Sequence, residues 1–170
     1  TLDGFLPGMP DFPYAGEITV EHLLRHRSGI HDIQIVDLFY VLQVLLRPYR
    51  WWTPEEILDM TYGPLPILSM SDMEFIPREP VGEPGEMYHY SQPGYCALGM
   101  IVEQATGKML ADVYDKRIIE PLGLSGTPLP REDDPLYPSG YTNLFGLLGE
   151  EKVPGDSLID SGNAYVSSAW

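Results

Sequence analysis

His22 and His26 stand four residues apart on a segment that reads as helix, a spacing that could turn two imidazoles toward one metal ion. No third ligand shares that helix, although His31 and Asp32 follow it. The simpler reading has His26 hydrogen-bonding backbone at the helix end and His22 facing solvent, and no metal site is assigned. Asp133-Asp134 and Glu150-Glu151 read as solvated loop charge. Several catalytic signatures are missing from the sequence. It has no Gly-rich phosphate loop and no Gly-x-Ser-x-Gly elbow. None of the three lysines, Lys108, Lys116 and Lys152, follows a serine by three, so no Ser-x-x-Lys occurs, and neither Lys-x-Gly nor His-x-Gly is found. What remains is Glu83-Pro84-Gly85-Glu86-Met87-Tyr88-His89-Tyr90-Ser91-Gln92-Pro93-Gly94-Tyr95. Taken alone, its three tyrosines are read most simply as packing a turn.

The elements that must hold this run follow from caps and breakers. Residues 1–17 carry three prolines and three glycines and read as an extended lead-in. Thr19 is a good N-cap, Glu21 suits a helix N-terminus and Gly29 supplies a stop. Asp32 can cap a second helix to about Leu46, where Pro48 forbids continuation; that segment is apolar nearly all round and should be buried on several sides. Thr53-Pro54-Glu55-Glu56 is the clearest start, with N-cap Thr, Pro at the first helical position and Glu three after the cap. Residues 63–90, with five prolines, read as one long loop. Two further helices are expected. One runs from about Pro93 to Thr106, with Tyr95, Leu98, Val102 and Ala105 on its apolar stripe and Gly107 as its stop. The other runs from about Met109 to Glu120, ended by Pro121 and Gly123. Residues 125–161 read as loop, with a short strand near 164–168.

Composition sets the outer limits. The chain has 170 residues, room for one ordinary domain, and 44% are hydrophobic, enough for a packed core. Its 17 glycines and 17 prolines imply much loop between ordered elements. A formal charge of −15 repels phosphate backbones and anionic lipid, which disfavours nucleic-acid binding and electrostatic membrane attachment. Cys96 is alone, so neither an internal disulfide nor a cysteine zinc site is available. No stretch approaches the ~20 apolar residues of a membrane-spanning helix. The chain opens on Thr1 and closes on Trp170, and both ends read as cuts through something longer, with any targeting segment removed.

The 83–95 run resembles a segment of the family of class C type serine β-lactamases, penicillin-binding proteins and related esterases and D-amino-acid peptidases. That family's pattern has Pro-Gly, an aromatic, Tyr-Ser-Asn, then Gly-Tyr and a helix; Pro84-Gly85, Tyr88, Tyr90-Ser91 and Gly94-Tyr95 fit it. Three further stretches agree in order. Ile18–Ile30 is similar to its Ile-Thr-x-x-x-Leu-Leu-x-His-x-Ser-Gly segment. Leu98-Gly99, Thr106-Gly107-Lys108 and Pro121-Leu122-Gly123 are similar to its Leu-Gly, Thr-Gly-Lys and Pro-Leu-Gly run. Asp160–Ser168 is similar to its later Gly-Gly-x-x-Ser-Ser/Thr stretch. Each is weak singly; four in the correct order, over about 18–168, make a strong signal.

The resemblance implies the chemistry. A serine attacks an amide, lactam or ester carbonyl, and a base within hydrogen-bond reach removes its proton. A tyrosine with an ordinary pKa near 10 does this poorly unless a lysine ammonium stabilises its phenolate. Carried onto this chain, Tyr90 is the base or its partner, and Gln92 stands where the family has the Asn whose amide contacts substrate. Gln92 departs from that Asn by one methylene, a displacement of about 1.5 Å, which puts substrate placement in question. Tyr90 should face the missing wall, while Tyr88 and Tyr95 bury their rings. The resemblance also implies a mainly α chain: the helical middle portion of a β-lactamase-like fold of α/β sheet plus helical domain, with long loops and little sheet. The nucleophile helix would lie upstream and the Lys/His-x-Gly strand downstream. No cofactor is implied. The partners implied are a small-molecule, peptide or ester substrate and the remainder of the parent chain. The residues themselves give no location; the resemblance implies a periplasmic or secreted one. Three functions stay open: a segment of an active acyl-enzyme hydrolase, a segment of a binding or sensing relative without turnover, and a helical interaction module whose likeness is coincidental.

Overall fold

The computed structural model describes residues 1–7, 13–32, 52–62, 79–124, 140–142 and 151–153. The expected helix from Asp32 to Leu46, most of the 63–90 loop and the strand near 164–168 lie outside them. The described residues are mainly helical. The elements are α1 (Leu2–Phe5), α2 (Val20–Leu24), α3 (Pro54–Tyr62), α4 (Gln92–Thr106), α5 (Leu110–Tyr114), a π turn over Asp115–Ile119, and α6 (Glu120–Leu122). Two three-residue strands, β1 (Gly140–Thr142) and β2 (Glu151–Val153), pair antiparallel with Gly140 opposite Val153. They fall inside the stretch expected to be loop throughout, where three-residue strands leave too short an alternation to be seen in sequence.

The lead-in is not simply extended. Leu2–Phe5 forms a single helical turn, tied down by Leu2 N–H to the Ile18 carbonyl (2.8 Å) and Asp3 N–H to that of Ala15 (3.2 Å). Leu2 is thereby buried and joins the core, a burial that composition alone does not reveal.

α2 begins in a reciprocal cap. The Thr19 hydroxyl accepts from His22 N–H (3.1 Å), and His22 Nδ1 accepts from Thr19 N–H (3.3 Å), histidine filling the place Glu or Gln usually holds. The expectation of a solvent-facing His22 is therefore corrected. The helix also ends earlier than Gly29. His26 adopts φ 51°, its N–H donates to the Leu23 carbonyl (3.1 Å), and Arg27 N–H donates to that of His22 (2.8 Å). This is a Schellman ending with histidine at the left-handed position ordinarily given to glycine. Gly29 serves a different purpose. It too is left-handed (φ 74°), and a Cβ there would overlap the Gly82 carbonyl oxygen.

α3 carries the expected capping box, Thr53 N–H to Glu56 Oε2 (3.1 Å) and Glu56 N–H to Thr53 Oγ1 (3.3 Å). α4 is the central element and packs against α1, α2, α3 and α5. The Ser91 hydroxyl caps it by accepting from Gly94 N–H (3.2 Å), and Gly107 closes it at φ 64°. Its inward face differs from the expected stripe. Pro93, Cys96, Ala97 and Ile101 are buried, Tyr95, Leu98 and Val102 are half-buried, and Ala105 is exposed. Gly94, Ala97 and Gly99 are buried too, and the Leu23 side chain packs close to Gly94, so the face that packs is not the one with the largest side chains. Leu2, Ile18, Leu23, Ile30, Leu58, Ala97 and Ile101 make the shared core.

The last expected helix is present but interrupted. Glu120 N–H reaches the Asp115 carbonyl five residues back. Pro121 has no N–H for a regular bond to Arg117, and the helix widens just before it. Gly123 (φ 65°) then ends it.

Candidate active site

Tyr88–Ser91 runs extended into the N-terminus of α4 and lies along the turn that follows α2. Backbone bonds join the two segments: His89 N–H to the His26 carbonyl (2.8 Å), Gly85 N–H to that of Arg27 (2.7 Å), and Val81 N–H to that of Gly29 (2.9 Å). Arg27 Nη2 clamps the Pro84–Glu86 turn from the side, donating to the carbonyls of Gly85 (2.6 Å) and Glu86 (3.1 Å). Left-handed Gly85 (φ 88°) lets that turn pass close to the His22 ring.

His26 is the hub. Its Nδ1 accepts from the buried N–H of Ser91 (3.2 Å), which places the proton of the neutral ring on Nε2. The ring stacks on Tyr95 (4.6 Å, 24°), lies tilted against Tyr90 (4.7 Å, 34°) and meets Tyr88 edge-on (5.9 Å, 78°). It is 7% exposed, and its Nε2 finds no hydrogen-bond partner among the described residues. His22 and His26 each use Nδ1 to accept a backbone N–H, from Thr19 and Ser91 respectively. No group of three metal-ligating side chains occurs among the described residues.

The three tyrosines divide their labour differently from expectation. Tyr88 is 64% exposed, so the ring expected to be buried lies out. An edge contact with His26 needs only the rim of a phenol, which leaves the rest of Tyr88 in water. Tyr95 is half-buried and its hydroxyl donates to the Leu24 carbonyl (3.2 Å), tying α4 to the end of α2. Tyr90 is half-buried, and its hydroxyl makes no hydrogen bond among the described residues. Gln92, in the first turn of α4, is 3% exposed.

The electrostatics favour neutral groups. Burial, the charge of Asp32 and the neighbouring phenols of Tyr88 and Tyr95 raise the Tyr90 pKa above its ordinary value. Burial lowers that of His26, with Asp32 opposing it. Cys96, directly after Tyr95, is pushed up to about 12, chiefly by burial and secondly by Asp32. Asp32 is itself 3% exposed and sits close enough to act on all three. In the sequence Asp32 reads as a helix cap and His26 as part of its own helix end, and neither reads as a neighbour of Tyr90. The available signal was the order Leu23-Leu24, His26, Ser28-Gly29, in which His26 precedes the glycine by three.

The architecture has solved counterparts. A D-stereospecific amidohydrolase from Streptomyces sp. matches with a TM-score of 0.69 and 24% identity, over 96% of this chain and 46% of that one. The D-amino acid amidase from Ochrobactrum anthropi SV3, in complex with L-phenylalanine amide, matches with a TM-score of 0.57 and 26% identity, over 93% and 41%. These define a fold shared with amide-cleaving enzymes. Residues 2–146 match the family model described as Beta-lactamase, and the chain belongs to the beta-lactamase family. Penicillin-binding protein 4* of Bacillus subtilis is 30% identical over 168 residues, 94% of this chain and 32% of that protein. A beta-lactamase-like protein of Arthroderma benhamiae is 30% identical over 156 residues, 86% of this chain and 26% of that protein. The chain thus spans between a quarter and a third of these curated relatives. Membership removes the reading in which the likeness is coincidental.

Proposed function

We propose that this chain is the helical segment of a serine hydrolase that cleaves amide, ester or β-lactam bonds through an acyl-enzyme, with Tyr90 as the base or its partner. The nucleophile and its lysine belong to a Ser-x-x-Lys helix upstream of Thr1, and a Lys/His-x-Gly strand follows Trp170. The observation that carries this reading is the seating of Tyr90. The residue is half-buried with its ring against His26, while its hydroxyl makes no hydrogen bond among the described residues. Ionised to the phenolate, a tyrosine held this way can accept a proton from a hydroxyl brought to it by another part of the protein. Within this chain the phenol stays protonated, because burial and Asp32 both oppose its ionisation. The cation that would stabilise a phenolate must therefore come with the nucleophile.

Gln92 is the proposed substrate contact. Its amide is buried in the first turn of α4 and has to swing outward to meet a substrate. Gln92→Ala in the full-length enzyme should then raise KM in molecules that fold, whereas a packing role alone predicts lost stability with KM unchanged. A second reading, a ligand-binding relative without turnover, is favoured by Gln92 in place of Asn and by the raised Tyr90 pKa.

The decisive experiment is Tyr90→Phe in the full-length protein, which keeps the ring and deletes one oxygen. kcat should fall by roughly two to four powers of ten, with the melting temperature almost unchanged. Unimpaired turnover would remove Tyr90 from the mechanism. The 170-residue chain alone should give only background with nitrocefin and p-nitrophenyl esters; a burst with a covalent adduct on one of its serines would refute this.

A further inference from the structure

We propose that His26 is a positioning residue for Tyr90 and does this work only as the neutral imidazole protonated on Nε2. The inference rests on the assignment of Tyr90 as base or its partner. Three independent observations meet at this residue. Ser91 N–H donates to Nδ1 at 3.2 Å, so the residue after Tyr90 is held by a lone pair that protonation would remove. The imidazole lies 4.7 Å from the Tyr90 ring and 4.6 Å from the Tyr95 ring, so its plane sets the Tyr90 side chain against a fixed second aromatic. The backbone carbonyl of the same residue accepts from His89 N–H at 2.8 Å, so the chain is gripped on both sides of Tyr90.

The backbone makes a purely structural purpose less economical. His26 occupies a left-handed helix ending, φ 51°, where glycine would serve without strain. What glycine cannot supply is the acceptor nitrogen and the ring, and both are directed at the Tyr90 segment.

Among the described residues, the titratable groups facing the ring are the phenols of Tyr88, Tyr90 and Tyr95, and Asp32 acts on it through its charge. The phenol faces and Asp32 would both welcome an imidazolium. Against them stand burial to 7% exposure and the Ser91 N–H, since a protonated Nδ1 would point a donor at a donor. Burial outweighs Asp32, so the neutral ring is the resting form. On acidification the Ser91 bond breaks, and the Tyr90 segment loses its register against α2.

Two substitutions separate the acceptor from the ring. His26→Asn keeps an acceptor, tolerates left-handed backbone and does not titrate. His26→Phe keeps a flat ring and deletes the acceptor. In the full-length protein, His26→Phe should lower kcat by up to roughly 10²-fold, the effect of about 1 Å of misplacement, with little change in KM. His26→Asn should retain much of kcat at pH 8 and lose the acid limb that His26 gives the wild type. In the 170-residue chain, imidazole ¹⁵N shifts should identify the Nε2–H form at pH 7, and the Ser91 amide should titrate together with the ring. A His26→Asn enzyme keeping the wild-type acid limb, or a ring protonated at pH 7, would overturn the inference while leaving Tyr90 in place. Unimpaired turnover in Tyr90→Phe would instead overturn the Tyr90 assignment, and this inference with it. Should His26→Phe fail to fold, the ring and Ser91 titrations and the Asn variant still decide the matter.

Discussion

His26 concentrates several costs at one residue: left-handed backbone worth about 1 kcal/mol of strain, a desolvated imidazole, and an Nε2 with no hydrogen-bond partner among the described residues. Such a residue makes stability depend on pH. The His26 pKa is lowered in the folded chain from its ordinary 6.5. The unfolded chain therefore binds the proton first on acidification. The contribution of the neutral ring is fully present above pH 6.5 and is lost as pH falls through the lower folded value. Urea midpoints measured at pH 7.5 and at pH 5 should differ more for the wild type than for His26→Asn, which has nothing to protonate there. Equal differences would assign the acid sensitivity to other groups. Tyr62 shows the opposite sign. Its pKa is raised to about 12 by burial, partly offset by the His31 N–H donated to its oxygen. The stability it supplies is complete below pH 10 and declines as pH rises through about 12, so alkaline unfolding should shift when Tyr62 becomes Phe.

The helix ends were largely legible in the sequence, because a cap is a local event written in a few adjacent residues. Thr19, Thr53, Gly107 and Gly123 each stand at an observed boundary, and α4 starts at Gln92, one residue before the expected Pro93, with Ser91 as its cap. Ser91→Ala should therefore cost about 1 kcal/mol and loosen the entry to α4, visible as faster exchange of the Gly94 amide. Less legible was anything decided by contact with a distant segment. The inward face of α4 includes the small residues Gly94, Ala97 and Gly99, against one of which the Leu23 side chain packs, whereas a reading by hydrophobicity favours Leu98 and Val102. Ile101→Ala should cost about 2–5 kcal/mol, as a fully buried aliphatic does, and Leu98→Ala clearly less, since Leu98 is half-buried. Ala97→Leu should also destabilise, by about 1–3 kcal/mol, because the added carbons have no space. The π turn at Asp115–Ile119 belongs to the same class: Pro121 announced a stop, but the widened register before it depends on where Glu120 N–H finds an acceptor. For the site, the helix after Ser91 was plain from local pattern, whereas Tyr90 stood out only through the family resemblance. The partner that holds them, His26, lies 65 residues from Ser91, and no short-range rule connects the two.

At the scale of the whole molecule, the Tyr90 segment is fastened to the α2 turn and then capped onto α4, so it should open only when these elements separate. Cys96 reports on that separation. It lies in α4 one residue after Tyr95, is fully buried and is the chain's single thiol. Burial, reinforced by Asp32, pushes its pKa up to about 12, and only the thiolate reacts readily with disulfide or alkylating reagents. Two conditions thus suppress labelling of the native chain at pH 8, lack of access and lack of ionisation, and both vanish together on unfolding. Labelling by a chromogenic disulfide should accordingly be slow in buffer and rise with urea in parallel with loss of helical circular dichroism. His26→Phe should leave the global midpoint lower and labelling still tied to it if the ring mainly supports packing. If His26 instead holds the Tyr90 segment locally, the variant should speed labelling at urea concentrations well below the midpoint, because freeing Ser91 uncaps the turn that precedes Cys96. Fast labelling of the wild type in buffer alone would contradict both outcomes, since it would mean that the N-terminal end of α4 opens without the rest of the core.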